Sequence, residues 1–143
     1  MMSRKEFNDF LKKNGGLISP KSNLPYPIQL FGIECDDGWL QLIADLIREL
    51  IDAGWTREVS QIKEKFGGLR FYAYGLPERG GEIIQKYEER ALITCERCGS
   101  IDNVQLHNDR WLKTLCDPCA TEWLQNRKSN RADRNQIDKQ KLE

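Results

Sequence analysis

Four cysteines near the C-terminal end constrain this chain more than any other feature. Cys95 and Cys98 form one Cys-x-x-Cys pair, Cys116 and Cys119 form a second, and seventeen residues separate the pairs. Two such pairs can direct four thiolates at one tetrahedral metal ion, which is the pattern of a zinc site. Four protein ligands leave no position for water, so we predict a structural zinc ion with no catalytic part.

Two other uses of the paired cysteines stay open. An iron–sulfur cluster also takes four thiolates, and a single Cys-x-x-Cys pair can be a redox centre. The presence of two pairs, each beside a tight turn, favours zinc over a redox role. A segment with so few core residues is expected to lose its shape without the metal.

Length and charge limit the classes of function. The chain has 143 residues, enough for one domain with a small appendage. Its 22 basic and 22 acidic residues give a net charge of zero, so no overall field favours nucleic acid or an acidic membrane. No apolar run reaches the length of a membrane span, and the charged start MMSRKEFNDF does not resemble a signal peptide. We therefore predict a cytoplasmic protein with reduced thiols and no membrane partner.

The N-terminal part is predicted to hold a short helix followed by an extended segment. Ser3 and Glu6 form a capping box at the start of the helix, and Gly15-Gly16 ends it. Prolines make residues 17–37 unsuited to helix, so we predict an extended strap. Those prolines are Pro20, Pro25 and Pro27, and the apolar residues expected to anchor the strap are Ile28, Leu30, Phe31 and Ile33.

Two amphipathic helices are predicted to cover a β-hairpin. The first follows the candidate N-caps Asp36 and Asp37 and ends at Gly54. Its apolar face consists of Trp39, Leu42, Ile43, Leu46, Ile47, Leu50 and Ile51. The second follows Gly80-Gly81 and turns Ile83, Ile84, Tyr87, Ala91 and Leu92 inward. The predicted class is therefore α+β, with helices packed on a hairpin or small antiparallel sheet.

The hairpin is built from VSQIKEKF and LRFYAY around a predicted two-residue turn at Gly67-Gly68. This turn pairs Phe66 with Leu69, Glu64 with Phe71, and Ile62 with Ala73, and gives one face that is apolar except for Glu64. A carboxylate there needs a partner, such as Arg48, Arg57 or a tryptophan N–H. Alternatively, Glu64 is a functional acid, or a β-bulge turns its side chain outward.

The opposite face of the hairpin is basic and aromatic. We call Lys63, Lys65, Arg70, Tyr72 and Tyr74 the basic-aromatic face, and they are the candidate ligand-binding residues. Their cations can neutralise phosphates and their rings can stack on bases. The alternatives are a solvated sheet face or a face covered by a helix.

Residues 94–127 are predicted to form a zinc treble clef packed on an α+β domain of residues 1–93. Its order is a knuckle, a hairpin around Asn108-Asp109, a second knuckle and a helix that starts at Asp117-Pro118. Residues 128–143 form a polar, basic tail that is predicted to be disordered or marginally helical.

The intervals in this segment resemble those of the GATA-type zinc finger. The matching pieces are CERCG, the later Trp111, and LCDPC followed by a helix. The resemblance implies a treble clef that reads DNA with its helix and a basic tail. Leu112 and Lys113 stand where that family has two arginines, and residues 127–143 have a net charge of only +3, from six basic and three acidic residues. We therefore favour a module that closes the domain.

Most of the chain, from about residue 31 to residue 119, resembles a family of small bacterial and phage proteins of unknown function. The resemblance lies in FGIECDDGW, KEKFGGLRFY, TCERCG and WLKTLCDPC, in that order. It implies a compact α+β unit fused to a zinc knuckle, often carried on mobile genetic elements. It implies no reaction and therefore no catalytic residue.

These patterns predict a non-enzymatic, zinc-stabilised binding module. It would be a phage or mobile-element accessory protein that binds a host protein or nucleic acid, with inhibition of host defence as a special case. One alternative is a nucleotide or small-molecule binder that uses the basic-aromatic face. Another is a small hydrolytic enzyme that uses Glu64 and the acids around Cys35, although the single histidine, His107, lies far away in the sequence.

Overall fold

The computed structural model describes residues 1–19 and 24–142 and confirms the α+β class. The helices are α1 (Arg4–Lys13), α2 (Pro27–Phe31), α3 (Leu40–Asp52), α4 (Gly80–Ala91) and α5 (Asp117–Leu142), with a 3-10 turn at Asp37–Trp39. The strands are β1 (Ile33–Glu34), β2 (Glu58–Lys65), β3 (Gly68–Tyr74), β4 (Val104–Asn108) and β5 (Leu112–Cys116). Pro20, which the sequence placed in the extended strap, lies outside the described residues.

A three-stranded sheet, in the order β1-β2-β3, forms the centre of the N-terminal domain. β2 and β3 are antiparallel, whereas the short β1 runs parallel to β2. The helices α3 and α4 pack together, and α4 also contacts β3. The buried core comprises Phe7, Trp39, Leu40, Ile43, Ala44, Leu46, Ile47, Leu50, Trp55, Val59, Ile62, Leu69, Phe71, Ile84, Tyr87 and Ala91. The apolar face predicted for α3 therefore forms part of the core of this domain.

The N-terminal capping box is confirmed, but the strap is not wholly extended. Ser3 Oγ accepts a hydrogen bond from the Glu6 backbone N–H at 3.1 Å, and the Glu6 carboxylate accepts one from the Ser3 N–H at 3.3 Å. Pro27 opens the short helix α2, because a missing N–H costs nothing at the first helical position. Of the four apolar anchors, Ile28 and Ile33 pack on the core, whereas Leu30 and Phe31 are exposed.

The two aspartates predicted as N-caps have other partners. Asp36 precedes the 3-10 turn but makes no capping hydrogen bond. Its carboxylate instead accepts a hydrogen bond from Lys113 Nζ at 2.8 Å, and that of Asp37 pairs with Arg4 at 2.9 Å. Because these ion pairs bring together distant segments of the chain, local sequence could not reveal them.

The tight turn of the first hairpin lies one residue earlier than the glycine pair suggested. Lys65 pairs with Gly68, so the turn residues are Phe66 and Gly67, with φ angles of 54° and 81°. Two positive φ values define a type I′ turn, whose twist matches that of the flanking strands. Each side chain stays on the side of the hairpin that the sequence predicted. Its cross-strand partner lies two residues earlier in β3 than predicted, so that Glu64 pairs with Leu69. Phe66 is therefore an exposed turn residue and not part of the core.

The turn at Phe66 offers a stability test. Phenylalanine is poorly suited to positive φ, whereas Asn-Gly is the preferred pair for a type I′ turn. We expect Phe66→Asn to raise the free energy of unfolding by about 1 kcal/mol, since the exposed ring gives up little burial. Phe66→Ala, which gains no such preference, is the control in urea denaturation. A destabilised Phe66→Asn protein would show that the ring holds the turn in place.

The second sheet and the last helix complete the fold. β4 and β5 form an antiparallel hairpin that packs with the start of α5, where Trp123 is buried. α5 runs to Leu142, so it includes the described part of the tail that was predicted to be disordered or marginally helical. Arg127 and Arg131 bind the Asp109 carboxylate at the tip of the β4–β5 hairpin. α5 is long but polar, and within the described ranges no helix is both long and apolar enough to cross a membrane.

Candidate metal centre and adjoining groove

The four cysteines converge on one point. Their sulfur atoms all lie within 4.8 Å of one another, and Cys98 Sγ is 3.6 Å from Cys116 Sγ. A tetrahedral ion with sulfur bonds of about 2.3 Å places its ligands about 3.8 Å apart, so the arrangement fits a single ion. Cys95 and Cys116 are buried, Cys119 is half-buried and Cys98 is exposed. The site is therefore a closed four-thiolate set at the edge of the C-terminal segment.

Local structure explains how the pairs are presented. The Cys95 N–H donates to the Ser100 carbonyl at 2.8 Å, and the Gly99 N–H donates to the Cys95 carbonyl at 2.9 Å. Gly99 has a φ of 80°, which glycine adopts without strain. Cys116 is the last residue of β5, and Cys119 lies in the first turn of α5. A strand end and a helix start thus supply the second pair.

Backbone donors prepare the first ligand for a metal. Burial raises the pKa of Cys95, but N–H groups of Cys116, Cys98 and Arg97 donate to its sulfur and bring the pKa to about 7. Burial raises the pKa of Cys119, and its cysteine neighbours raise it further. Since thiolates are the metal ligands, binding must release protons.

Backbone contacts join the first knuckle to the N-terminal domain. The indole N–H of the fully buried Trp39 donates to the Thr94 carbonyl at 2.8 Å. The Gly38 N–H donates to the Glu96 carbonyl at 2.8 Å. A Cβ atom at Gly38 would lie 2.4 Å from the Cys95 and Glu96 carbonyl oxygens, so the approach requires glycine. The start of α3 and the metal knuckle therefore form one packed unit.

An ionic cluster around the buried Glu96 carboxylate lies at the same junction. Glu96, with 2% of its surface exposed, accepts hydrogen bonds from the Asp36 backbone N–H at 2.9 Å and from Lys113 Nζ at 3.1 Å. Burial lowers the pKa of Lys113, but the carboxylates of Asp36 and Glu96 outweigh it and leave the pKa raised. Lys113 therefore stays charged, as a buried carboxylate such as Glu96 requires.

The second hairpin is also fastened to the first. Thr114 Oγ1, which is buried, donates to the Gly67 carbonyl at 2.6 Å, and the Thr114 carbonyl accepts from the Glu96 N–H at 3.0 Å. A Cβ atom at Gly67 would lie 2.3 Å from Leu106 Cδ1, so the two hairpins touch at this point. Hydrogen bonds thus connect the cysteine knuckle to β5, and β5 to the β2–β3 turn.

A groove of about 590 Å³ lies between the tips of these two hairpins. We call it the tip groove; its walls include Lys63, Glu64, Lys65, Phe66, Arg110 and Trp111. Phe66 and Trp111 are 69% and 59% exposed, and Lys65 Nζ lies 5.6 Å from the centre of the Phe66 ring. Two large aromatic side chains therefore stand in solvent beside three cations.

No protein-family model, curated protein or solved structure matches this chain. The structure offers a four-thiolate set that could hold one metal ion and a tip groove that is open to solvent.

The structure distributes the basic-aromatic face over three places. Lys63 and Lys65 line the tip groove. Arg70 and Tyr72 border a shallow depression against α4, and the Tyr74 ring packs edge-on against Tyr26. Their role in ligand binding stays a prediction, because these side chains do not surround one cavity.

Sequence reasoning missed three of the groove residues. Phe66 was assigned to the core because the turn was placed at Gly67-Gly68. Arg110 and Trp111 lie in the loop after β4, more than forty residues further along the chain. The phenylalanine before Gly67 at a hairpin tip was the local signal, since phenylalanine is rare in such turns.

The residues of the enzymatic alternative have structural partners. Glu64 Oε1 accepts a hydrogen bond from the Gly67 N–H at 2.7 Å and so holds the turn, instead of meeting Arg48, Arg57 or a tryptophan. The strand irregularity lies between Val59 and Gln61, not at Glu64. His107 Nε2 lies 3.2 Å from the Leu115 carbonyl, within the second hairpin.

Cys35 is expected to be unreactive. It is half-buried, and burial together with the nearby Glu96 carboxylate raises its pKa to about 12. Because the thiolate is the nucleophile, alkylation by iodoacetamide at pH 8 should be roughly 10- to 100-fold slower than for an ordinary thiol, since the greater nucleophilicity of a more basic thiolate offsets part of its lower population. Mass spectrometry of the metal-loaded protein, with denatured protein as control, measures this rate. Rapid modification in the native state would restore Cys35 as a candidate nucleophile.

Proposed function

We propose that this chain is a non-enzymatic binding module stabilised by a structural zinc ion, and that the tip groove is its binding surface. The observation that carries the proposal is the chain of hydrogen bonds from the cysteine knuckle through β5 to the tip of the β2–β3 hairpin. Glu96 bonds to Thr114, and Thr114 bonds to Gly67, which is next to Phe66. A metal placed in the knuckle would hold the two walls of the groove at a fixed distance.

The metal is proposed to be zinc because of the spacing and type of the ligands. Four sulfur atoms within 4.8 Å of one another suit one ion. A multi-iron cluster attaches its thiolates to different irons, which spreads the sulfurs further apart. The element order of the segment, with a knuckle, the β4–β5 hairpin and α5, supports the treble-clef interpretation.

The partner is proposed to be a macromolecule. Exposed aromatic and arginine side chains are typical anchors of binding surfaces, and Phe66, Arg110 and Trp111 combine them on one rigid frame. An accessory role in a phage or mobile element, including inhibition of host defence, stays a prediction from the family resemblance. Nothing in the groove forms a nucleophile, base and oxyanion donor set of the kind that hydrolysis requires.

Matched capture experiments test the proposal. Wild-type protein, Trp111→Ala and Ile101→Ala are immobilised and exposed to bacterial lysate with and without nuclease. Ile101 is exposed and lies in the metal segment but outside the tip groove, so it is the control. We expect one partner that wild type and Ile101→Ala retain and Trp111→Ala loses. Equal capture by all three proteins would contradict the assignment of the groove.

A further inference from the structure

We infer that the tip groove binds single-stranded nucleic acid, with unpaired bases stacked on Phe66 and Trp111 and phosphates held by Lys63, Lys65 and Arg110. The inference rests on the proposed function, since it names the partner class of the same groove. Three features of the groove lead to it: solvent-exposed aromatic side chains, residues held in unfavourable turn conformations, and a local excess of positive charge.

The aromatic side chains are available for stacking. Phe66 and Trp111 keep more than half of their surface in solvent. Ring–ring contacts among the described residues involve other aromatics, so neither ring is covered by a second ring. Bases of a single strand stack on such faces without regard to sequence, whereas the bases of a duplex already stack on each other. The rings therefore favour a single strand over a duplex.

Both hairpin tips carry a residue that the local backbone disfavours. Phe66 has a φ of 54° and Arg110 has a φ of 62°. Glycine or asparagine would fit either position with less strain. Strained conformations of large side chains are concentrated at binding sites, because the surrounding structure offsets their cost for the sake of function. Of the five non-glycine residues with positive φ in the described part of the chain, these two lie on opposite walls of one groove.

The charges of the groove match a phosphate backbone. Lys63, Lys65 and Arg110 oppose the single carboxylate of Glu64, which gives the walls a net charge of +2 in a chain whose total charge is zero. The Glu64 carboxylate is also occupied by the Gly67 N–H. Ion pairs between described residues involve none of the three cations, so their charges are available to a ligand. An acidic polymer is therefore the complementary ligand.

The groove is held in shape before any ligand binds. Arg127 Nη2 donates to the Asp109 carbonyl at 2.6 Å, and Arg127 and Arg131 both bind the Asp109 carboxylate. These bonds fix the loop that contains Arg110 and Trp111, while Glu64 and Thr114 fix the opposite turn. Preorganised walls lower the entropic cost of binding a flexible strand.

Fluorescence anisotropy with labelled twelve-nucleotide strands tests the inference. Metal-loaded wild-type protein is titrated into mixed-sequence single-stranded DNA, the matching RNA and the DNA duplex. We expect the single strands to bind more tightly than the duplex. Three neutralised phosphates predict a slope of about −2 for the logarithm of the association constant against the logarithm of salt concentration.

Three variants locate the binding surface. Phe66→Asn and Trp111→Ala should each weaken single-strand binding about 5- to 150-fold, the range for loss of one stacked base. Phe66→Asn is especially informative, because it should weaken binding while the fold is unchanged or more stable. Lys65→Ala should make the salt slope shallower by about 0.7. Ile101→Ala and Lys128→Ala, on the metal segment and on α5, should bind as wild type does.

The outcomes separate this inference from the proposed function. Equal binding of duplex and single strands, or binding that depends on Lys128 and not on Phe66 and Trp111, would overturn the inference. A protein partner that Trp111→Ala loses, without any single-strand binding, would also overturn it but leave the binding module intact. If Trp111→Ala captures the same partner as wild type, and neither Phe66→Asn nor Trp111→Ala changes the anisotropy, both proposals are wrong.

Discussion

Removal of the metal is expected to unfold the cysteine segment and the α+β core in a single transition. Structural zinc sites of this kind contribute about 10–16 kcal/mol of apparent binding free energy at pH 7. Domains of this size have a total stability of about 5–15 kcal/mol. The free energy lost with the metal should therefore exceed the stability that the remaining contacts supply. The metal-free core would also lose the Trp39 and Gly38 contacts to the knuckle.

Circular dichroism and hydrogen exchange of Cys116→Ser and of chelator-treated wild type measure this effect. We expect neither protein to show a cooperative melting transition. The backbone amides of β2 and β3 should exchange with solvent, as should those of β4 and β5. Cys35→Ser is the control, because its thiol lies outside the four-sulfur set and its zinc content should stay at one per chain. A metal-free protein that keeps a cooperative melt of residues 1–93 would show that the two segments fold independently.

Trp39→Ala is expected to cost about 3–5 kcal/mol, which is the range for removal of a large buried aromatic side chain. Trp39 has no exposed surface and packs in the core beneath the metal knuckle. Its loss also leaves the Thr94 carbonyl without its N–H donor. Because metal binding and core folding share this contact, the variant should release zinc more readily than wild type.

Trp39→Phe separates the packing effect from the hydrogen bond. Phenylalanine fills much of the space but cannot donate, so an unpaired Thr94 carbonyl should cost about 1–3 kcal/mol. Urea denaturation followed by circular dichroism gives the stability, and a colorimetric chelator gives the rate of zinc release. If both variants unfold normally but release zinc at the wild-type rate, the indole does not couple the two segments.

Patterns that depend on near neighbours in the sequence predicted much of this fold. The capping box at Ser3 and Glu6 lies within one helical turn, and the apolar face of α3 follows a helical period. The spacing of the four cysteines predicted their convergence because each pair spans a single turn. In these cases the structure is determined by residues a few positions apart.

Features that depend on distant residues escaped prediction. Asp36 was predicted to be an N-cap, because the sequence near it does not reveal its partner. That partner, Lys113, lies 77 residues away. The turn was misplaced because three successive residues, Phe66 to Gly68, offer two possible centres, and contacts from Leu106 and Thr114 favour the first. The tip groove needs both hairpins, so no local pattern contains it. Long-range packing therefore decided each of these three features.

The contact of Gly38 and Trp39 with the first cysteine knuckle also has a consequence during protein synthesis. Eighty residues are added after Trp39 up to and including Cys119, the last of the four cysteines. At about 5–20 residues per second, the ribosome needs about 4–16 s to add them. Throughout that time the start of α3 lacks the surface that covers it in the finished protein. The yield of native protein should therefore depend on the supply of zinc in the producing cell. This dependence should extend to the folding of segments that contain no metal ligand.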